Sequence, residues 1–263
     1  MTAAPPAWDP AQYRRFEAER GRAAQDLLAR IPDQPAPAEV WDLGCGDGRH
    51  AALLKRRHRA ARVHGLDSSE AMLERARGLD ADIDWRRGDI ARWTPERPVD
   101  LIFANASLQW LPDHATLFPR LAAALAPDGV LAVQMPMAWE SRHHGLMRAV
   151  AGEGPWAGRL SGVDTIGPLL TAEAYYDALT GPCGEIDIWS TTYLHALEGS
   201  DPVLEWMKGT ALRPYLTALA DDPAMRAAFL SALGDALSQA FPARPDHRTL
   251  MPFPRLFLTA RRR

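Results

Sequence analysis

The sequence predicts an α/β fold: a mostly parallel sheet whose strands alternate with helices and take a ligand at their carboxyl ends. Three observations carry this. An apolar run, Val40-Trp41-Asp42-Leu43, enters the glycine-packed turn Gly44-Cys45-Gly46-Asp47-Gly48, and a helix-like stretch follows from His50. A second short run, Val63-His64-Gly65-Leu66, ends in the carboxylate of Asp67. Two more strand signals, around Ile83 to Trp85 and from Val99 to Ala104, lead into Gly88-Asp89-Ile90 and Asn105. Strand ends that each carry a glycine or a polar residue fit one crevice along the edge of a parallel sheet.

Taken in order, Met1 to Ala7 are expected to lack order. Asp9-Pro10 is a helix start, a capping side chain followed by proline in the first turn. That helix is expected to pass through Tyr13, Phe16, Arg20 and Leu27-Leu28 to a break at Pro32. Tyr13, Phe16 and Arg20 recur at three and four, so they share a face. Pro32 to Pro37 reads as a linker, and the sheet begins near Glu39. After Asp67, Ser68 is expected to cap a helix from Ser69 to about Arg77, with Met72 on its first turns. From His114, leucines at 117, 121 and 125 make an apolar helical stripe. Pro127-Asp128-Gly129 is expected to end that helix in a turn, and Val130 to Gln134 to form a fifth strand. From Met137 the alternation stops. The stretch to about Thr180 is rich in glycine, proline, tryptophan and histidine, a composition suited to a lid or insert. Glu185 to His195 reads as a strand, Asp201 to Ala240 as mostly helix, and Pro252 to Arg261 as a closing strand. The expected division is 1–36, 37–136, 137–184 and 185–263, with a helical insertion at about 199–248 in the last.

The 263 residues suffice for a substantial core, and 47% hydrophobic with 24% charged residues is ordinary for a globular chain. The formal net charge of −3 gives no overall attraction to nucleic acid, and Arg261-Arg262-Arg263 reads as a solvated tail. No apolar run is long enough to span a membrane, and the N-terminus has no apolar signal region. Two cysteines, Cys45 and Cys183, make no disulfide framework, which fits a reducing cytoplasm. There is no C-x-x-C or H-E-x-x-H, and neighbouring His143 and His144 diverge on a helix, so no metal is expected. Oligomeric state is open, with a monomer as the default.

The glycine turn weighs against a nicotinamide enzyme. That fingerprint needs G-x-G-x-x-G, and Arg49 stands where the third glycine belongs. An acid at the tip of the second strand, Asp67, can accept two ribose hydroxyls. Asp89 can accept from an exocyclic amine while Ile90 offers a purine an apolar face.

Asp42 to Gly48, Asp67, Gly88-Asp89-Ile90 and Asn105 together resemble the class I S-adenosylmethionine-dependent methyltransferases. Phe103 to His114, Leu131 to Pro136, Asp187-Ile188-Trp189, Thr191-Thr192-Tyr193, Leu212-Arg213-Pro214 and Phe253 to Phe257 narrow the resemblance to the trans-aconitate 2-methyltransferase family. It covers most of the chain from Trp8-Asp9-Pro10 onward, and the stretch after Gly152 departs from it. The resemblance implies a Rossmann-like seven-stranded sheet, mostly parallel with one antiparallel edge hairpin, carrying a helical cap. It implies S-adenosylmethionine as cofactor, with the N-terminal helix laid over it. Cofactor-binding candidates are then Tyr13, Phe16, Arg20, Gly44, Cys45, Gly46, Asp67, Ser68, Met72, Asp89, Ile90 and Asn105.

The implied acceptor is a small unsaturated polycarboxylic acid; the alternatives are a natural-product acceptor on the same scaffold, then a cofactor-binding protein that has lost turnover. A carboxylate is already ionised at neutral pH and needs no general base. No catalytic residue is therefore expected. His143 or His144 is the suspect only if the acceptor is a phenol or an amine. Cationic and hydrogen-bonding groups are expected for the non-reacting carboxylates. Arg213 is the first candidate and Arg255 the second, with Gln109, Trp110, Trp139, His144, Tyr175 and Tyr176 behind them.

Overall fold

Alternating apolar runs and amphipathic helices produce a seven-stranded sheet in the computed structural model, which describes residues 17–33, 35–79, 82–163 and 167–263. The elements in order are α1 (Glu17–Arg30), β1 (Glu39–Leu43), α2 (Arg49–Arg57), β2 (Arg62–Asp67), α3 (Glu70–Arg77), β3 (Asp84–Arg87), β4 (Val99–Asn105), α4 (His114–Ala123) and β5 (Leu125–Pro136). Then come α5 (Arg142–Ala151), α6 (Ala157–Leu160), α7 (Ala172–Thr180), β6 (Cys183–Leu197), α8 (Pro202–Lys208), α9 (Arg213–Ala218), α10 (Pro223–Ala240) and β7 (Thr249–Arg262). Short 3-10 turns at Ile90–Arg92 and Leu108–Trp110 follow β3 and β4.

The strand order is β3-β2-β1-β4-β5-β7-β6. β1, β2, β3, β4 and β5 pair in parallel, and β7 runs antiparallel to β5 from Val130↔Arg261 to Pro136↔Arg255. Central parallel strands are covered on both faces and so read as continuous apolar runs. Leu101 to Ala104 and Leu131 to Val133 are buried accordingly.

The chain forms two compact units. The first, Arg22–Pro136, Leu169–Thr191 and Arg255–Arg263, contains the parallel strands. The second is Met137–Pro168 and Thr192–Pro254 with the chain up to Gly21. Its core gathers Trp206, Met207, Leu212, Phe229, Leu233 and Phe253, with Trp156 set edge-on to Phe229 at 5.5 Å. Asp222 caps α10 by accepting from the Met225 amide at 2.9 Å, with proline next in line.

Some expected boundaries move. Pro127-Asp128-Gly129 lies within β5 rather than ending α4, and Leu125 belongs to the strand. The closing strand starts at Thr249 rather than Pro252. Ser68 is exposed and does not cap α3; the capping position is Ser69, whose amide donates to the Asp67 carboxylate at 2.8 Å. α7 belongs to the first unit, where it packs on α4. Among the described residues no helix is long and apolar enough to cross a membrane.

Candidate functional site

The glycine turn is built by three left-handed residues, Gly44, Gly46 and Gly48, at φ 78, 55 and 83. A side chain costs about 1–2 kcal/mol in that region. Packing tightens the demand at two of them. A Cβ on Gly44 would lie 2.3 Å from the Ser107 Cβ, and one on Gly48 2.5 Å from the Trp85 ring. A Cβ on Gly46 would meet nothing within 4 Å among the described residues. Gly46 therefore opens onto space, with its neighbours wedged against protein.

Hydrogen bonds hold the turn to the next strand. The amides of Gly44 and Cys45 both donate to the Leu66 carbonyl, at 2.7 and 3.0 Å. Asp67 then spans two turns: one oxygen accepts from Gly46 N at 2.9 Å, the other from Ser69 N at 2.8 Å. Each oxygen keeps capacity for a further donor. Ser107 Oγ donates to the Leu43 carbonyl at 2.7 Å, tying β1 to the end of β4. Neither Ser107 nor Trp85 stood out in the sequence, because nothing in a sequence reports which residue abuts a missing Cβ.

Charge is arranged tightly under the turn. Asp42 is 1% exposed, and burial, then the neighbouring Asp67 carboxylate, raises its pKa to about 8. Burial also pushes the Cys45 thiol up, with Asp42 and Asp67 adding to it, so Cys45 lines the turn as a neutral thiol and not as a nucleophile. His50, on the first turn of α2, is pulled down to about 4 by burial and by Arg49.

Beyond β3, Asp89 is exposed and caps its 3-10 turn by accepting from Ala91 N at 2.9 Å. Ile90 is half-buried, its Cδ1 3.4 Å from where a Gly44 Cβ would stand. Its carbonyl accepts from Arg120 at 2.9 Å. Met72 is half-buried on the first turn of α3. Tyr13 and Phe16 lie outside the described residues, as does the side chain of Arg20.

At the ends of β4 and β5, Asn105 faces Gln134 across the parallel register. Ala106 follows in a left-handed conformation at φ 53. Its amide donates to the Gln134 carbonyl at 2.9 Å, and its carbonyl accepts from Gln109 Nε2 at 2.8 Å. The side-chain oxygens of Asn105 and Gln109, and both amide atoms of Gln134, are buried without a partner among the described residues. Such a group costs about 1–3 kcal/mol unless a ligand or water completes it. Gln109 spends one N–H of its amide on Ala106 and keeps the second N–H and the oxygen. Trp110 is half-exposed. Arg255 lies inside β7, 5% exposed, opposite Pro136.

Tyr175 is a correction to its expected place on the acceptor side. It is fully buried, its hydroxyl 2.5 Å from His114 Nδ1 and its ring 4.6 Å from that of Phe118. It fastens α7 to α4 and presents no surface to a ligand. Its neighbour Tyr176 is the exposed one. Helical phase, invisible until the helix ends were known, decides between them.

The second unit holds Trp139, His144 and Arg213. Arg148 stacks over Trp139 at 3.9 Å. Arg213 is half-buried at the start of α9. His144 Nδ1 lies 2.8 Å from Ser141 Oγ, whose own proton goes to the Ala138 carbonyl at 2.7 Å. His144 therefore donates through Nδ1 and turns Nε2 elsewhere. His143 sets its ring edge-on to Phe253 at 4.9 Å, and His195 stacks on Trp206 at 4.8 Å. His195 was not among the sequence candidates; it lies in a strand pattern that reads as core.

A methyltransferase-domain family profile matches residues 40–129, from β1 to the start of β5. The trans-aconitate 2-methyltransferase of an Azoarcus species is 49% identical over 97% of this chain and 99% of its own. That of Methylobacterium nodulans is 50% identical over 97% of this chain and 98% of its own. A crystal structure of an S-adenosylmethionine-dependent methyltransferase from Mesorhizobium loti superposes with a TM-score of 0.51 at 23% identity, covering 92% of this chain and all of that one. With near-complete coverage at about half identity, the chain belongs to the trans-aconitate 2-methyltransferase family.

Proposed function

We propose that the protein transfers the methyl group of S-adenosylmethionine to a carboxylate of trans-aconitate, giving a monomethyl ester. The observation that carries the acceptor is near-full-length similarity to enzymes of that name. Support for the cofactor is local: an open glycine at Gly46, an acid at the tip of β2 and orphaned amide groups at the tips of β4 and β5.

Gly44, Cys45 and Gly46 line the approach, and Asp67 accepts the ribose hydroxyls with the capacity its two backbone bonds leave. Asp89, Ile90 and Met72 serve the purine, and Tyr13, Phe16, Arg20 and Ser68 complete the cofactor set. When bound, S-adenosylmethionine supplies an electrophilic methyl on a sulfonium, so that an oxygen–carbon bond forms as the carbon–sulfur bond breaks and a neutral thioether leaves. The acceptor is ionised near neutrality, so no side chain has to take a proton. What the protein supplies is alignment and exclusion of water, and positioning of this kind is worth up to roughly 7–11 kcal/mol in the best intramolecular cases. Arg255 and Arg213 take carboxylates that do not react, with Trp110, Trp139, His144 and Tyr176 as the further acceptor contacts. The working form is a monomer in a reducing cytoplasm, with no nucleic acid, membrane or metal partner; the two buried free thiols suit that compartment.

Incubation with S-adenosylmethionine and trans-aconitate, followed by mass spectrometry, is expected to give the monomethyl ester and S-adenosylhomocysteine. Cofactor turnover on some other acceptor, with no ester from trans-aconitate or related acids, removes the acceptor assignment.

A further inference from the structure

Gln134 has no role in the reaction just described. It lies in β5, 1% exposed, and neither its Oε1 nor its Nε2 has a partner among the described residues. The register sets it beside Asn105 on the adjacent strand, so both side chains leave the same face at the carboxyl edge of the sheet. Asn105 contributes a buried, unpartnered Oδ1, and Gln109 a buried, unpartnered Oε1. Ala106 joins the three: it follows Asn105, its amide donates to the Gln134 carbonyl, and its carbonyl accepts from Gln109.

The chemistry of this set is specific. Its buried atoms without a partner among the described residues are three neutral oxygens and one NH₂ group. A primary ammonium has three N–H donors and no acceptor, so it matches the oxygens. A carboxylate has acceptors alone, so it matches the NH₂. A free α-amino acid end carries both on one carbon.

We infer that Gln134 reads the α-amino-acid end of bound S-adenosylmethionine. Its Oε1 shares the ammonium with Asn105 and Gln109, and its Nε2 donates to the α-carboxylate. This rests on the methyltransferase reading. It adds a cofactor-binding residue on β5 and moves Gln109 to the cofactor side.

The test compares two ligands that share an adenosine thioether and differ at this end: S-adenosylhomocysteine, which carries the amino acid, and methylthioadenosine, which does not. Affinities are measured by titration calorimetry on the wild type and on Gln134→Leu. The variant is expected to lose about tenfold or more on S-adenosylhomocysteine and to bind methylthioadenosine as before, collapsing the ratio between them. Equal loss on both ligands, or no loss on either, overturns the inference. So does unchanged S-adenosylhomocysteine affinity with a raised KM for the acid. Gln134→Glu guards against misfolding: it keeps volume and an oxygen, loses the donor, and is expected to weaken S-adenosylhomocysteine alone. A wild type that binds neither ligand would defeat the methyltransferase reading itself, which is a separate result.

Discussion

Asp42 shows how one buried carboxyl can set the pH response of the sheet. It is enclosed in β1 and accepts a backbone bond from Ala51, yet burial outweighs that bond and lifts its pKa to about 8. The unfolded chain loses this proton near 4. Between the two values the native state holds the extra proton, so stability falls as pH rises, and is level above about 8. His50 works in the opposite sense. Its folded value near 4 lies below the unfolded 6.5, so stability falls as pH drops through that interval. The two oppose below about pH 6.5, leaving the stretch from there to about 8 to Asp42. Urea unfolding of the wild type is therefore expected to lose up to about 1.4 kcal/mol per pH unit across that stretch. Asp42→Asn should flatten it. An unchanged slope in the variant would mean that Asp42 is ionised in the native protein.

At the scale of an element, the glycine turn separates folding from binding. Gly44→Ala places a Cβ 2.3 Å from Ser107 at φ 78, and the combined clash and strain should cost about 2–5 kcal/mol in urea unfolding. Gly46→Ala meets no neighbour among the described residues and should cost about 1–2 kcal/mol for its conformation alone. Its methyl group enters the open space, so affinity for S-adenosylhomocysteine should fall even though the fold survives. Equal destabilisation by both, with binding intact in the Gly46 variant, would refute the division. The sequence displayed this turn because three glycines in five positions have few other uses, and it displayed Asp67 because a strand tip is where an acid meets a ligand. It hid that Asp67 also fastens Gly46 and Ser69, since a capping acid and a ligand-binding acid are spelled alike. It hid the partner that fills each glycine for the reason that such contacts join distant strands. Tyr175 misled for a local reason: two tyrosines in succession point to different faces, and α7 turned the first inward onto His114.

Over the whole molecule, the fold class followed from strand–helix alternation, which a parallel sheet enforces through its buried faces. The second unit was less legible. Its elements come from separate stretches of chain, and its core of Trp206, Phe229 and Phe253 is assembled by contacts far apart in sequence. That division makes a functional prediction. Asp67 lies in the first unit and Arg213 in the second. If cofactor recognition belongs to the first, Asp67→Ala should weaken S-adenosylhomocysteine by about ten- to a hundredfold, the range expected for losing buried hydrogen bonds. Arg213→Ala should leave that affinity intact and raise the KM for trans-aconitate about tenfold or more, as expected for a lost charge-assisted contact. Ligand-induced stabilisation gives a check independent of turnover. At a hundred times its Kd, S-adenosylhomocysteine should add about 2.7 kcal/mol to unfolding in the wild type. Arg213→Ala should retain that increment, and Asp67→Ala should keep only about 0.4–1.4 kcal/mol of it at the same concentration. The reverse pattern would place cofactor recognition in the second unit, and Arg213 would then be the anchor for an anionic group of the cofactor instead of the acid.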